Sequence, residues 1–429
     1  MSNPMDRPDP ARAVSEGDGS RSLVLALLLV ALCGAGLSLC CSCFERSPRQ
    51  GTIPPDNGSA RALPLGNAPA SSDSIPQSAR SPSPGEPSGR RRPGRPLYGI
   101  AFPPMADEKG RAVTARQVPA LGVKTIRYSE NWRFREPRRG EYYWQAMDDR
   151  IAFCEKMGFR LLLTIESYAP AWMERQQVGK LGAVFSDYDA FRDFVTVMSR
   201  RYAGRIAQVQ FGNEWDNPDA YPGTAQDMIR ATNLLYDAFK ANSPTTRVVL
   251  GSMTYALFAL RLHTEQPDRY VFPLESAYRA GQSRSTLEAY IRKCLARLPE
   301  YEARVGQVLA GARYDAIDIH LYDDPENWAA YLGYAKAMCD KPTLVSEFGC
   351  PNPTFEKYDP EYHARRLEAC LHTLDALPVE EAYYFSLITE GDTSAYHVDS
   401  GLLRGDLTRK PAYDVLRKHL QSGPGVADR

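Results

Sequence analysis

Neither sign of charge is in excess in this chain, where 52 Lys and Arg balance 52 Asp and Glu over 429 residues. The basic footprint of a nucleic-acid-binding domain is therefore missing, and nucleic acid is not expected as a partner. The six His are scattered with no H-x-H pair, so the clustered ligands of a metallohydrolase are absent. No G-x-G-x-x-G follows the first predicted strand, which removes the usual nucleotide rationale for an open doubly wound sheet. Cys154, Cys294, Cys339, Cys350 and Cys370 are odd in number and include no C-x-x-C, so neither a zinc site nor a disulfide framework is signalled. No short internal repeat is visible, no lysine ends a predicted strand as Schiff-base chemistry requires, and no Gly-rich phosphate cradle follows the last two strands. No metal or cofactor is expected.

Two further absences divide the chain. Residues Ser22–Phe44 contain no charge, and at about 1.5 Å per residue the run is long enough to cross a hydrocarbon core of about 30 Å. It reads as a membrane segment, an uncleaved signal-anchor, with lipid modification at Cys40, Cys41 or Cys43 as the alternative; no A-x-A cleavage site follows it. Arg7, Arg12 and Arg21 precede the run and Arg46, Arg49 and Arg61 follow it, so charge does not decide its orientation. From Glu45 to Leu97 there is no Phe, Trp or Tyr, and a stretch rich in Pro, Ser, Gly and Ala cannot bury enough apolar surface to offset its ordering entropy. It reads as a disordered tether ending in the basic patch Arg90–Arg95. The predicted order is a polar tail 1–21, membrane segment 22–44, linker 45–96, one folded domain 97–421 and a tail 422–429.

What is present lies in the C-terminal segment, which holds every Trp and is long enough for one large core. Eight short apolar runs alternate with longer helical patterns, the signature of βαβ units. The runs are Leu97–Ala101, Lys124–Tyr128, Arg160–Ile165, Gln208–Gly212, Arg247–Gly251, Ala316–His320, Thr343–Ser346 and Ala382–Ser386. Helical patterns cover Trp144–Met157, Tyr188–Tyr202, Thr286–Ala310 and Pro411–Leu420, with Thr254–Arg313 read as an insertion plus a barrel helix. The predicted fold class is α/β, a (β/α)8 TIM barrel.

In such a barrel the strand C-termini build the active site, so a carboxylate just past a strand end faces the mouth. Glu214 in Phe211-Gly212-Asn213-Glu214-Trp215-Asp216 follows the fourth strand, and Glu347 in Leu344-Val345-Ser346-Glu347-Phe348-Gly349 follows the seventh. Glycosidic cleavage needs one carboxylic acid to protonate the leaving oxygen and one carboxylate facing the oxocarbenium-like centre; about 5 Å between them implies retention, about 6.5–9.5 Å inversion. Glu130 and Glu166 also follow strands and are read as structural or substrate-binding. Trp144, on a helical pattern, is read as core, and Cys350 as an inert thiol.

These motifs resemble the clan A superfamily of retaining glycoside hydrolases, which includes β-xylosidases, cellulases, mannanases and β-galactosidases. The resemblance spans nearly all of Pro96–Leu420. Asn213-Glu214 matches the Asn-Glu that ends strand four, and Glu347 the glutamate that ends strand seven. Trp132…Glu136-Pro137…Gly140…Trp144…Asp148 is similar to the W-x-x-x-E-P…G…W…D stretch after strand two, Pro170-Ala171-Trp172 to the P-x-W turn, and His320-Leu321-Tyr322 to the H-x-Y after strand six.

The resemblance implies Glu214 as acid/base, Glu347 as nucleophile, Asn213 on the sugar 2-hydroxyl, Tyr322 holding the nucleophile and Arg127 keeping it ionised. It places His320 and Trp172 along the sugar subsite; Trp132 is a candidate stacking residue from its loop position. The usual strand-eight Trp is replaced by Tyr384-Phe385-Ser386, so Phe385, or Tyr396 in the next loop, is the expected platform. The expected partner is an oligo- or polysaccharide, reached by a monomeric catalytic domain held outside the cytoplasm by its membrane segment. The alternative is a carbohydrate-binding or transglycosylating barrel without hydrolytic turnover.

Overall fold

A computed structural model of the chain describes residues 95–173, 182–217, 220–267, 284–349, 358–389 and 399–422. The expected membrane segment, the linker up to residue 94, Cys350, Tyr396 and the tail from residue 423 lie outside the described residues. Among the described residues no helix is long and apolar enough to cross a membrane.

Eight parallel strands form one sheet: β1 Leu97–Ala101, β2 Thr125–Asn131, β3 Arg160–Glu166, β4 Gln208–Phe211, β5 Arg247–Leu250, β6 Ile317–Leu321, β7 Thr343–Phe348 and β8 Val379–Tyr384. Their order is β5-β4-β3-β2-β1-β8-β7-β6. The two ends meet through parallel bridges Val249↔Ala316 and Met253↔Ile319, with Leu250 N–H donating to Ala316 O at 2.9 Å, so the sheet closes. Closure leaves no free edge. Each strand is buried on both faces, which is why runs such as Leu161-Leu162-Leu163 are continuously apolar rather than alternating. Helices occupy the connections, as the alternation of patterns requires: Asp107 and Asp187 cap the starts of Glu108–Leu121 and Tyr188–Arg201, and Thr224 with Asp227 forms a capping box on Ala225–Asn242.

The inward positions are not all apolar. At the N-terminal end of the barrel Tyr383 Oη and Gln208 Nε2 donate to Glu381 Oε2 at 2.6 and 2.7 Å, and Tyr383 Oη lies 3.1 Å from Thr125 Oγ1. Gly99 makes room for this layer, because a Cβ there would stand 2.5 Å from the Tyr383 ring.

Two expectations need correction. The pattern Thr286–Ala310 is two helices, Arg284–Ala296 and Leu298–Gly311, since Pro299 has no N–H to give to the preceding turn and the residue before it is biased away from helix. Strand eight runs from Val379 to Tyr384 rather than Ala382–Ser386, so Phe385 and Ser386 lie past its end, joined by a cis peptide bond.

Candidate active site

The loop after β4 is built to turn a glutamate inward. Gly212 (φ +80°) continues the β3 ladder through its N–H to Ile165 O, and Glu214 itself sits at φ +51°, a left-handed conformation costly for a residue with a Cβ. The β5 loop holds that conformation in place. Ser252 Oγ accepts the Glu214 N–H at 3.0 Å and donates to Asn213 Oδ1 at 3.1 Å, while the Trp215 indole donates to Gly251 O at 2.7 Å. Two residues on, both oxygens of buried Asp216 are taken by Thr254, N–H at 2.8 Å and Oγ1 at 2.7 Å.

Opposite stands Glu347, fully buried near the end of β7. Tyr322 Oη donates to its Oε2 at 2.5 Å and Arg127 Nη1 to its Oε1. Arg127, from β2, also donates to Asn213 Oδ1 at 2.7 Å and to Thr164 Oγ1 at 3.0 Å, and lies over the Phe102 ring at 4.8 Å. With Oδ1 accepting twice, the Asn213 side chain has a determined orientation, and its amide NH2 remains as the donor.

His320 joins the two acids. Its Nδ1 is 2.9 Å from Glu214 Oε1, and its Nε2 is 3.1 Å from Ser346 Oγ and 3.5 Å from Glu347 Oε1. A neutral ring with its proton on Nδ1, accepting from Ser346 at Nε2, satisfies both contacts. One carboxylate oxygen each from Glu214 and Glu347 and one ring nitrogen of His320 lie within 4.8 Å of one another. A divalent cation bound there would share Glu347 with the Arg127 guanidinium, and that repulsion works against a metal.

Environment separates the two glutamates. Burial pushes the Glu214 carboxyl well above the ordinary range, and the charge of Glu347, then that of Asp216, push it further. Burial also raises Glu347, but Arg127 and the Tyr322 hydroxyl pull against it. The single proton of such a pair therefore belongs on Glu214. Its Oε2 is buried with no hydrogen-bond partner, the one carboxylate oxygen of the pair left unpaired.

The structure brings Arg127, Asn213, Glu214, His320, Tyr322 and Glu347 to one place; it puts the aromatic candidates elsewhere or at its edge. Trp132 is fully buried, with its ring 5.1 Å from Phe185 and stacked on Phe194 at 5.4 Å, so it belongs to the core and has no face for a sugar. The motif around it is a clasp. Glu136 accepts the Trp132 indole N–H at 2.6 Å and the Gly140 N–H at 2.7 Å, and its carbonyl accepts the Trp172 indole N–H at 2.8 Å. Trp172 is half-buried, with Arg139 5.5 Å over its ring. Phe385 is 2% exposed, edge-on to Phe102 and Tyr322 at 6.0 and 6.3 Å. Trp144 packs against Phe194, as expected of a core residue. Glu130 pairs with Arg135 at 3.0 Å and with Arg150, a structural role, and Asn131 Nδ2 donates to Glu166 at 3.4 Å.

Asp318, Gln210, Thr164, Ser252 and Ser346 were not singled out in the sequence, although each contacts the site or the groups beneath it. One signal was available for Asp318. It stands two residues before His320 in a strand, so both point to the same face.

A model of the family described as Glycosyl hydrolase catalytic core matches residues 278–411, less than half of the chain; the match includes His320, Tyr322 and Glu347 but not Glu214. No curated protein matches the chain. Among solved structures it is similar to a GH5_18 variant from Streptomyces cattleya in complex with Manb1-4GlcNAc (16% identity, 78% of this chain and 83% of that one, TM-score 0.57). It is also similar to a family 39 glycoside hydrolase from Bacteroides cellulosilyticus WH2 (16%, 76% and 64%, 0.53) and to exo-beta-1,4-mannosidase Op5Man5 from Opitutaceae bacterium strain TAV5 (15%, 76% and 59%, 0.52). The chain thus spans less than two thirds of the length of these last two. At such identities the likeness is one of fold. Family match and fold agree with the clan A resemblance read from the sequence, that of a glycoside hydrolase barrel.

Proposed function

We propose that the protein is a retaining glycosidase acting on an oligo- or polysaccharide by double displacement, with Glu347 as nucleophile and Glu214 as acid/base. The observation that carries this reading is the pair itself: one oxygen of each carboxyl within 4.8 Å of the other, one acid clamped by Arg127 and Tyr322 and the other raised and unpaired at Oε2. A short separation of this kind is that of retaining enzymes, in which no water stands between the second carboxylate and the sugar in the first step. A Glu347 oxygen attacks the anomeric carbon while the exocyclic C–O bond breaks, and the departing oxygen takes the proton of Glu214 Oε2. The resulting glycosyl-enzyme is released when Glu214 removes a proton from water, which attacks the same carbon and frees Glu347. Asn213, its amide NH2 free, is placed to donate to the sugar 2-hydroxyl, a bond that strengthens as charge develops.

Wild-type product released with unchanged anomeric configuration is expected. Glu347→Ala should lose hydrolysis by on the order of 10⁴-fold or more, and azide should then give a glycosyl azide of inverted configuration, whereas Glu214→Ala with azide should give the retained one. Glu347→Ala that hydrolyses at the wild-type rate ends this reading.

We further propose that the barrel works outside the cytoplasm on a membrane tether. The uncharged run Ser22–Phe44 supports the anchor.

A further inference from the structure

Beneath the carboxylate pair lies a third buried acid that the reaction itself does not use. Asp318, in β6, is fully buried in the barrel interior. Its Oδ2 accepts from Gln210 Nε2 at 2.9 Å, and Gln210 Oε1 accepts from Thr164 Oγ1 at 3.2 Å, the same hydroxyl that Arg127 Nε donates to. Its Oδ1 accepts the backbone N–H of Ser346 at 2.8 Å.

That last bond falls at an irregularity. Asp318 pairs with Leu344 and His320 with Glu347, so two steps along β6 face three along β7. On the other side Val345 pairs with Ala382 and Phe348 with Tyr384, again three against two. Strand β7 therefore carries an extra residue just before Glu347, and a bulge leaves a backbone group outside the ladder while re-aiming the side chain that follows. Asp318 takes that group, and Ser346 Oγ on the same residue meets His320.

We propose that Asp318 is a positioning residue for the reaction: its carboxylate holds the β7 bulge that aims Glu347 at the sugar, and its negative charge balances Arg127 from below. Electrostatics agree with the geometry. Burial raises Asp318 itself against the pull of Arg127, and its charge in turn raises both Arg127 and Glu347. Without Asp318, Arg127 would act on Glu347 unopposed, giving a carboxylate that is more acidic and a weaker nucleophile.

The inference rests on Glu347 being the nucleophile, and the two are separated by assaying the full-length chain with an activated aryl glycoside in three variants. Asp318→Asn keeps an acceptor for the Ser346 N–H and removes the charge: kcat should fall by no more than about tenfold, while the acid limb of kcat/KM moves down by about half a pH unit or more. Asp318→Ala removes the acceptor as well, and kcat should fall by about 10²-fold with KM within about threefold, the cost of a misplaced reacting group. Glu347→Ala is the control for the reading beneath. If it is inactive while Asp318→Asn shows an unmoved acid limb and Asp318→Ala keeps kcat within about twofold, the positioning role is wrong and the glycosidase reading stands. Should Asp318→Ala fail to fold by circular dichroism, the pH profile of Asp318→Asn decides alone. An active Glu347→Ala overturns both.

Discussion

Glu214 and Glu347 are the same residue type, and what distinguishes them is which neighbours reach each carboxyl. Glu347 has a guanidinium and a phenol; Glu214 has one imidazole and a bare oxygen. Because burial and the facing charge raise Glu214, it should stay protonated above the ordinary carboxyl range, and kcat/KM should fall with rising pH as that proton is lost. In Glu214→Gln the alkaline limb should disappear, and turnover of substrates with poor leaving groups should drop by about 10²–10⁴-fold, with a smaller loss of the first step for acidic phenols. Persistence of the alkaline limb in that variant would assign it to another group. At this scale most of the site was legible, because strand C-termini build the mouth, although Glu130, at such an end, pairs with Arg135 and Arg150 instead. Trp132 was not: a Trp in a loop reads the same whether its neighbours are solvent or Phe185, Phe191 and Phe194, and these come from later in the chain.

At the scale of elements, Asp323 joins β6 to the helix Trp328–Met338 through bonds from the Trp328 indole at 2.9 Å and from the Tyr331 hydroxyl. It directly follows Tyr322, so the same junction seats the phenol that holds Glu347. Burial, with the charge of Asp324 as a minor contributor, raises Asp323 to about 7 from an ordinary 3.8. A carboxyl raised on folding contributes stability that is complete below its unfolded value and is lost as pH climbs through the folded one, here between about 4 and 7. Asp323→Asn should flatten the decline in unfolding free energy over that range by on the order of a few kcal/mol, read by denaturant unfolding at pH 5 and 8. An identical pH dependence in the variant would rule the junction out as its source. Strand positions in general were legible to within a few residues, since buried parallel strands are continuous apolar runs; the break at Arg297 was missed because hydrophobic period persists across it while the backbone is interrupted by Pro299.

For the whole molecule, the closed barrel separates its two ends by function. The polar layer of Glu381, Gln208 and Tyr383 fills one end, and the Glu214–Glu347 pair occupies the other. On the proposed outward tether, protease added to intact cells should remove the barrel from the surface, and cells should act on an impermeant glycoside without lysis. Protection of the barrel from protease in intact cells would refute the outward tether.

The sequence alone placed the barrel strands to within a few residues and brought out Glu214 and Glu347 as candidates, because buried parallel strands read as apolar runs and strand C-termini build the mouth. Which acid holds the proton, that Trp132 is core, and that Asp318 lies under Glu347 were decided by tertiary structure. Charge and burial depend on residues brought together from distant points of the chain, Arg127 beside Glu347 and Asp318 beside Ser346, and no local pattern encodes those distances.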